Sequence, residues 1–217
     1  VDSFKYGAMQ TDISYGIYNG EYGYMEPTPK GENSQSYKSL SSRCGKPYFE
    51  GMLPGVVSYN NSVIEIKTQT EGATIYYTTD GSEPTDVKGE KYNSNGIIVS
   101  NIIKKQDESI IIRARAYKNG MISSAILTGT FISAYASHGG CEKSQLPIVS
   151  IVTDTANLYN PINGIYTEGS PNNEYSVNPN YGCLPDKKLN YVMDWARAAN
   201  FEYFVDEKQV LSHEVDI

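Results

Sequence analysis

Basic clusters, long apolar runs, closely spaced cysteines and phosphate-binding glycine loops are all missing from this sequence, and each absence removes a class of function. Lys+Arg 18 against Asp+Glu 25 gives a formal net charge of -7, and no basic run is longer than a pair such as Lys187-Lys188. Phosphate neutralisation needs a basic face, so nucleic acid is not an expected partner. No run approaches the roughly 18 consecutive apolar residues of a membrane helix, so no membrane span is expected. The three cysteines, Cys44, Cys141 and Cys183, lie far apart without Cys-x-x-Cys spacing. One disulfide with one free thiol is compatible with that number, and all three pairings stay open. His138, Cys141, Cys183 and His213 are chemically suited to zinc, yet their spacing fits no zinc finger, and no metal or other cofactor is expected. Neither a Gly-x-x-x-x-Gly-Lys-Ser/Thr loop nor a kinase glycine loop occurs, so the parts of a phosphoryl-transfer site are not assembled here. No catalytic residue is assigned, and the chain is not expected to be an enzyme.

What the chain has in abundance is tyrosine and turn residues: 19 Tyr, 19 Gly and 10 Pro in 217 residues. Tyrosine favours strands, while Gly and Pro punctuate turns, so the composition points to many short strands. The clearest segment runs from Gly72 to Thr85. Ile75-Tyr76-Tyr77-Thr78-Thr79 suits a pleated surface, and Asp80-Gly81 with Pro84 forces the chain out of the sheet. Asp80 and Glu83 are read as turn residues, because Asp is favoured there for backbone hydrogen bonding. Ser62–Thr68 alternates apolar and polar as a half-buried strand does, with Gly72–Thr79 expected as its hairpin partner. Strands are also expected at 48–51, 53–57, 96–99, 109–117 and 124–131, the 109–117 strand closing at Asn119-Gly120. Arg113 and Arg115 share one face of their strand, expected to be a solvated outer face. Beyond a polar connection at 134–144, Leu146–Thr153 is a continuous apolar run expected to be covered on both faces. Asp154 is placed to cap a helical turn at 155–158, followed by strands at 164–167, 200–205 and 209–213.

Three resemblances overlay this reading. "Ile-Tyr-Tyr-Thr-Thr-Asp-Gly-Ser-Glu-Pro-Thr" and "Ile-Arg-Ala-Arg-Ala-Tyr-Lys-Asn-Gly" resemble the β-sandwich at the C-terminus of chitobiase and β-hexosaminidase, over nearly the whole of 46–133. "Leu-Pro-Ile-Val-Ser-Ile-Val-Thr-Asp" with "Asp-Trp-Ala-Arg-Ala-Ala-Asn-Phe-Glu-Tyr-Phe" is similar to the start of the CotH (spore coat protein H) kinase family, although "Trp-Ala-Arg-Ala" stands where "Trp-Glu-Arg-Pro" is usual. Asp12–Gly16 and Pro27–Asn33 resemble the end of a lamin-tail-type domain and its linker. The resemblances imply an all-β (mainly β) fold: an Ig-like β-sandwich with an N-terminal arm and a partial α+β C-terminal segment. The expected divisions are an arm and linker at 1–45, the sandwich at 46–133, a linker at 134–145 and a truncated CotH-like start at 146–217. A chain running from Val1 to Ile217 is expected to be a piece of a longer, extracytoplasmic (secreted or cell-surface) bacterial protein.

The expected role is that of a non-catalytic module acting as spacer, scaffold or weak carbohydrate binder, with a glycan or cell-surface polymer and neighbouring domains of the same polypeptide as partners. The alternatives are the entry segment of a CotH-type kinase, whose catalytic residues the resemblance puts beyond Ile217, and an accessory domain of a glycoside hydrolase. Sugars stack on aromatic rings while hydroxyls keep polar contacts. Tyr77, Tyr175, Tyr181 and Trp195 are therefore the candidate ligand-binding residues. Tyr76 and Tyr77 point to opposite faces, so one of them is expected in the core.

Overall fold

The computed structural model describes residues 5–10, 12–28, 31–33, 35–37, 39–57, 62–102, 109–133, 146–168 and 190–217. The chain is mostly β. At its start, β1 (Ser14–Tyr18) and β2 (Glu21–Met25) make an antiparallel hairpin around Asn19-Gly20. Both turn residues have positive φ, the geometry that matches the twist of two-residue hairpins. The hairpin is docked: Ile13 and Tyr24 bury against Ile122, and Tyr24 pairs with Tyr37. These contacts pack the hairpin on Ile122, which precedes the last strand of the sandwich.

The sandwich contains β3 (Tyr48–Glu50), β4 (Gly55–Val57), β5 (Val63–Lys67), β6 (Thr74–Thr78), β7 (Glu90–Lys91), β8 (Ile97–Ile98), a short helix α1 (Val99–Ile102), β9 (Ser109–Tyr117) and β10 (Leu127–Ser133). The C-terminal part adds β11 (Ile148–Val152), the helix α2 (Thr155–Tyr159), β12 (Ala198–Val205) and β13 (Lys208–Asp216). A small sheet has the order β3-β5-β8 and a large one the order β11-β12-β13-β4-β10-β9-β6-β7. Alternation explains the core. Ile64 and Ile66 of β5 are buried while Val63, Glu65 and Lys67 are exposed, and they meet Ile75, Ile110, Ile112, Ala114 and Ala116 of the large sheet. Phe131 closes the layer edge-on to Phe49, with ring centroids 5.2 Å apart. Fully burying each such large side chain contributes about 1.5–3 kcal/mol.

Four sequence expectations are corrected. β5 and β6 do not form a hairpin: β6 pairs with β9 and β7, and residues 68–73 cross between the sheets. The crossing puts both apolar faces against each other across the core, and its corner is tied by Thr68 Oγ1 donating to the Gly45 carbonyl and the Gly45 amide donating to Thr70 Oγ1. No strand forms at 164–167. That stretch folds back on α2, with the Ile165 and Tyr166 amides donating to the Asn157 and Leu158 carbonyls. β11 is not covered on both faces, since it is the outer strand of the large sheet and Val149 and Ile151 are 51% and 56% exposed. Finally, the face of β9 that carries Arg113 and Arg115 is not solvated; Arg115 is only 6% exposed. The capping expectation fits, with Asp154 Oδ1 accepting from the Ala156 amide at 2.8 Å. No helix among the described residues is long and apolar enough to cross a membrane.

The large sheet runs from β10 into β13 through β4, which is parallel to β10 on one side and touches β13 on the other. Gly55 makes that contact possible. Its φ is +146°, and a Cβ there would lie 2.5 Å from the Glu207 carbonyl oxygen, while the next amide, Val56, donates to that same oxygen at 2.9 Å. Glu202 of β12 reinforces the seam. It is 0% exposed and accepts from the Thr130 amide at 3.1 Å, from Thr130 Oγ1 at 2.6 Å and from Gln209 Nε2 at 2.5 Å. Burial pushes its carboxyl above the usual range, against the opposing pull of these donors.

Two tests follow from the seam. Gly55→Ala is expected to cost about 1–3 kcal/mol through backbone strain, read by urea unfolding, with faster hydrogen exchange in β12 and β13 than in β5. For Glu202 the folded state holds a proton more tightly than the unfolded chain does. Its contribution is therefore largest at acid pH and is lost as pH rises from the ordinary carboxylate pKa through the raised folded one. Glu202→Gln should flatten the fall in stability that thermal melts of the parent show as pH rises above the ordinary carboxylate range; an unchanged slope would assign that fall to other groups.

Candidate functional site

The side of the large sheet away from the core is built by the same two-residue period. Antiparallel register sets Thr74 opposite Tyr117, Tyr76 opposite Arg115 and Thr78 opposite Arg113. The loop after β6 then folds over these arginines. Asp80 Oδ1 accepts from the amide and hydroxyl of Ser82 at 3.0 and 2.6 Å, and those bonds, the hydroxyl's first, hold the Asp80 carboxyl below its usual pKa. Gly81, at φ +80°, turns the chain so that its carbonyl accepts from Arg113 Nη1 at 3.0 Å. Burial lowers the Arg113 pKa. Asp80 and Gly81 therefore act as turn chemistry, as expected. Glu83 reaches further, to Arg115.

Arg115 is the hub. Its Nε donates to the Ser124 carbonyl at 2.8 Å, Nη1 to Glu83 Oε1 at 2.7 Å and Nη2 to Glu26 Oε2 at 3.3 Å. Its guanidinium carbon lies 5.9 Å from the centre of the Tyr117 ring, within cation–π range. Glu26 Oε1 accepts from the Ser123 amide at 2.6 Å, and the Tyr117 hydroxyl donates to the Pro84 carbonyl at 2.9 Å. One guanidinium thus joins the N-terminal arm, the loop after β6 and the loop before β10.

Above this hub opens a cleft of about 820 Å³. Tyr76 and Tyr117 stand nearly perpendicular in it, with ring centroids 5.7 Å apart at 81°. Tyr37 and Gln35 of the arm and Thr74, Thr85, Asp86, Lys118 and Asn119 of the sandwich complete a mostly polar lining. The Tyr37 hydroxyl donates to the Met121 carbonyl at 3.2 Å. Burial pushes the Tyr37 and Tyr117 hydroxyls up, so both stay protonated donors. A smaller cavity of about 360 Å³, between β9 and the β12–β13 hairpin, is lined by Asp12, Arg113, Glu214 and Asp216 and has no aromatic wall.

Two of the four sequence candidates, Tyr77 and Trp195, lie among the described residues, and neither lines the cleft. Tyr77 lies against the core and donates its hydroxyl to Glu90 at 2.8 Å; burial first, and that carboxylate second, push its pKa up to about 12. Its neighbour Tyr76 is the one in the cleft. Trp195 is half-buried under Arg197, whose guanidinium carbon lies 5.1 Å from the ring centre and whose Nε donates to the Asn163 carbonyl. This pins the start of β12. Tyr175 and Tyr181 lie outside the described residues, as do His138, Cys141 and Cys183 of the zinc set. Cys44 is a buried free thiol, and no group of three or more His, Cys, Asp or Glu among the described residues is arranged to hold a metal. Sequence reading missed Glu26 and Tyr117, and it gave Glu83 a turn role and Arg115 a solvated face in place of their shared ion pair. A signal existed for part of this: with Ala114 and Ala116 in the core, the period puts Arg113, Arg115 and Tyr117 together on the opposite face.

Residues 64–131 match a family described as Fn3 associated. The match covers the run from β5 into β10, including the loop after β6 and every residue that the sandwich contributes to the hub. It marks this part as an accessory β-sandwich module and leaves the finer resemblances to chitobiase, CotH and lamin tails as likenesses of motif. No curated protein and no solved structure matches the chain.

Because Arg115 is buried and its two carboxylates are partly exposed, removing one member or another should have unequal effects. Arg115→Met is expected to cost about 1.5–3 kcal/mol in chemical unfolding, the range for hydrogen bonds to charged groups. Glu83→Gln, at an exposed carboxylate that water can serve instead, should cost at most about 1 kcal/mol. Equal losses would mean that Arg115 matters only as Glu83's partner.

Proposed function

We propose that this chain is a non-catalytic accessory module of a multi-domain extracytoplasmic protein, and that the cleft gives it a weak contact with carbohydrate while the rest serves as a spacer. One observation carries the reading: two tyrosine rings at right angles form a corner within an otherwise polar cleft. Sugar rings have an apolar face that packs on an aromatic ring and an equatorial belt of hydroxyls that needs donors and acceptors. Gln35, Thr74, Thr85 and Asn119 supply such groups around the corner. The wall is preorganised, since Tyr117 is fixed by its bond to Pro84 and by Arg115, and a fixed wall lowers the entropic cost of binding. The accessory character of the Fn3-associated match supports the module part of the reading.

Titration of the labelled protein with a panel of oligosaccharides, followed by amide chemical shifts, tests it. Tyr76→Ala should weaken binding by about 1–2 kcal/mol, roughly 5- to 30-fold, and Tyr77→Phe should leave binding unchanged while removing the hydroxyl bond to Glu90. No shift with any sugar would remove the carbohydrate role and leave only the spacer.

A further inference from the structure

We infer that the cleft takes neutral oligosaccharides and rejects acidic ones, although an arginine stands at its base; this rests on the carbohydrate reading above. An arginine beside tyrosines usually suggests an anion receptor, because the guanidinium forks onto carboxylates. Here each of the three guanidinium nitrogens already donates inside the protein, to Ser124, Glu83 and Glu26, and the side chain is only 7% exposed. A sugar carboxylate reaching for Arg115 would have to displace two protein carboxylates that are already in place. Lys118, at the rim, directs its ammonium to the Glu71 carbonyl at 2.7 Å.

The remaining charge is of the wrong sign for an acidic ligand. Glu26 and Asp86 line the cleft and Glu83 flanks it, three carboxylates against Arg115 and Lys118. The chain as a whole carries -7, so the far field repels polyanions as well. For a neutral sugar the same groups help: Asp86 is exposed and accepts hydroxyl donors, while Asn119, Gln35 and the threonines donate or accept. Arg115 thus acts as a structural tie whose role in the site is to hold Tyr117 and Glu26 in place.

The test uses the whole chain and amide-shift titrations with three probes: hexaoses of glucose and of N-acetylglucosamine as neutral ligands, and hexagalacturonate as the acidic one. At least one neutral hexaose should bind, with a Kd that changes less than about twofold between low and physiological salt, because no charge pair forms. Hexagalacturonate should bind at least about tenfold more weakly, and exposed Asp86→Lys should narrow that gap without loss of stability. If hexagalacturonate binds as well as or better than the neutral sugars, and Tyr76→Ala abolishes it, the ligand class assigned here is wrong while the carbohydrate reading stands. If no hexaose binds, both fall. Neutral binding that survives Tyr76→Ala would move the contact to another surface and overturn the assignment to this cleft.

Discussion

Arg115 has almost no access to water, and a guanidinium so placed must find its partners in the protein or not fold there at all. It finds them in three segments far apart in sequence: Glu26 from the arm, Glu83 from the loop after β6 and Ser124 from the loop before β10. A hydrophobic contact among these segments would tolerate sliding. A three-way set of directed bonds does not, so the arm is held at one position against the sandwich and the cleft between them has a fixed shape. The free energy gained from such a buried set is small once desolvation is counted; what it supplies is geometry.

The same division of labour recurs at the other seams. Inside the sandwich, isoleucines and Phe131 do the stabilising and carry no positional information beyond their face. Where one part of the chain meets another, a single ionisable side chain is placed instead. Glu202 joins β12 to β10 through Thr130. Asp154 joins α2 to the loop after β6: it caps the helix, accepts from the Glu83 amide at 3.0 Å and lies 3.7 Å from Lys88. Burial works against ionising Asp154, yet the Ala156 and Glu83 amides with Lys88 and Arg113 outweigh it and bring its pKa below the usual value. Glu83 also belongs to the Arg115 set, so the two ties meet on one residue of the loop after β6.

This explains which parts could be read in advance. Strand positions follow from side-chain period and turn chemistry, both local, and Ile64/Ile66 and Asp154 behaved accordingly. Sheet membership is not local. β5 and β6 look like a hairpin because six residues and a Gly72 turn separate them, but the core is better filled when they lie in opposite sheets. The Leu146–Thr153 run reads as doubly covered because apolar content reports burial in general, not which face is buried. The site was the least legible part. Tyr76 and Tyr77 differ only in parity, and parity is settled by Ile75 in the core. The pairing of Arg115 with Glu26 spans 89 positions, which no window of sequence contains.

A cleft whose walls belong to two segments has a thermodynamic consequence. Tyr37 and Gln35 come from the arm side, while Tyr76, Tyr117 and Asn119 come from the sandwich, so a ligand that touches both binds the docked arrangement and not the undocked one. By linkage, occupancy must then strengthen arm docking by the same factor that docking strengthens affinity. Arg115 sits under both walls and fixes the position of the docked arm through Glu26. Any effect of it on a ligand is therefore transmitted through the arm, with no direct contact required, so a charged residue at the base of the cleft is compatible with the uncharged ligand proposed for it.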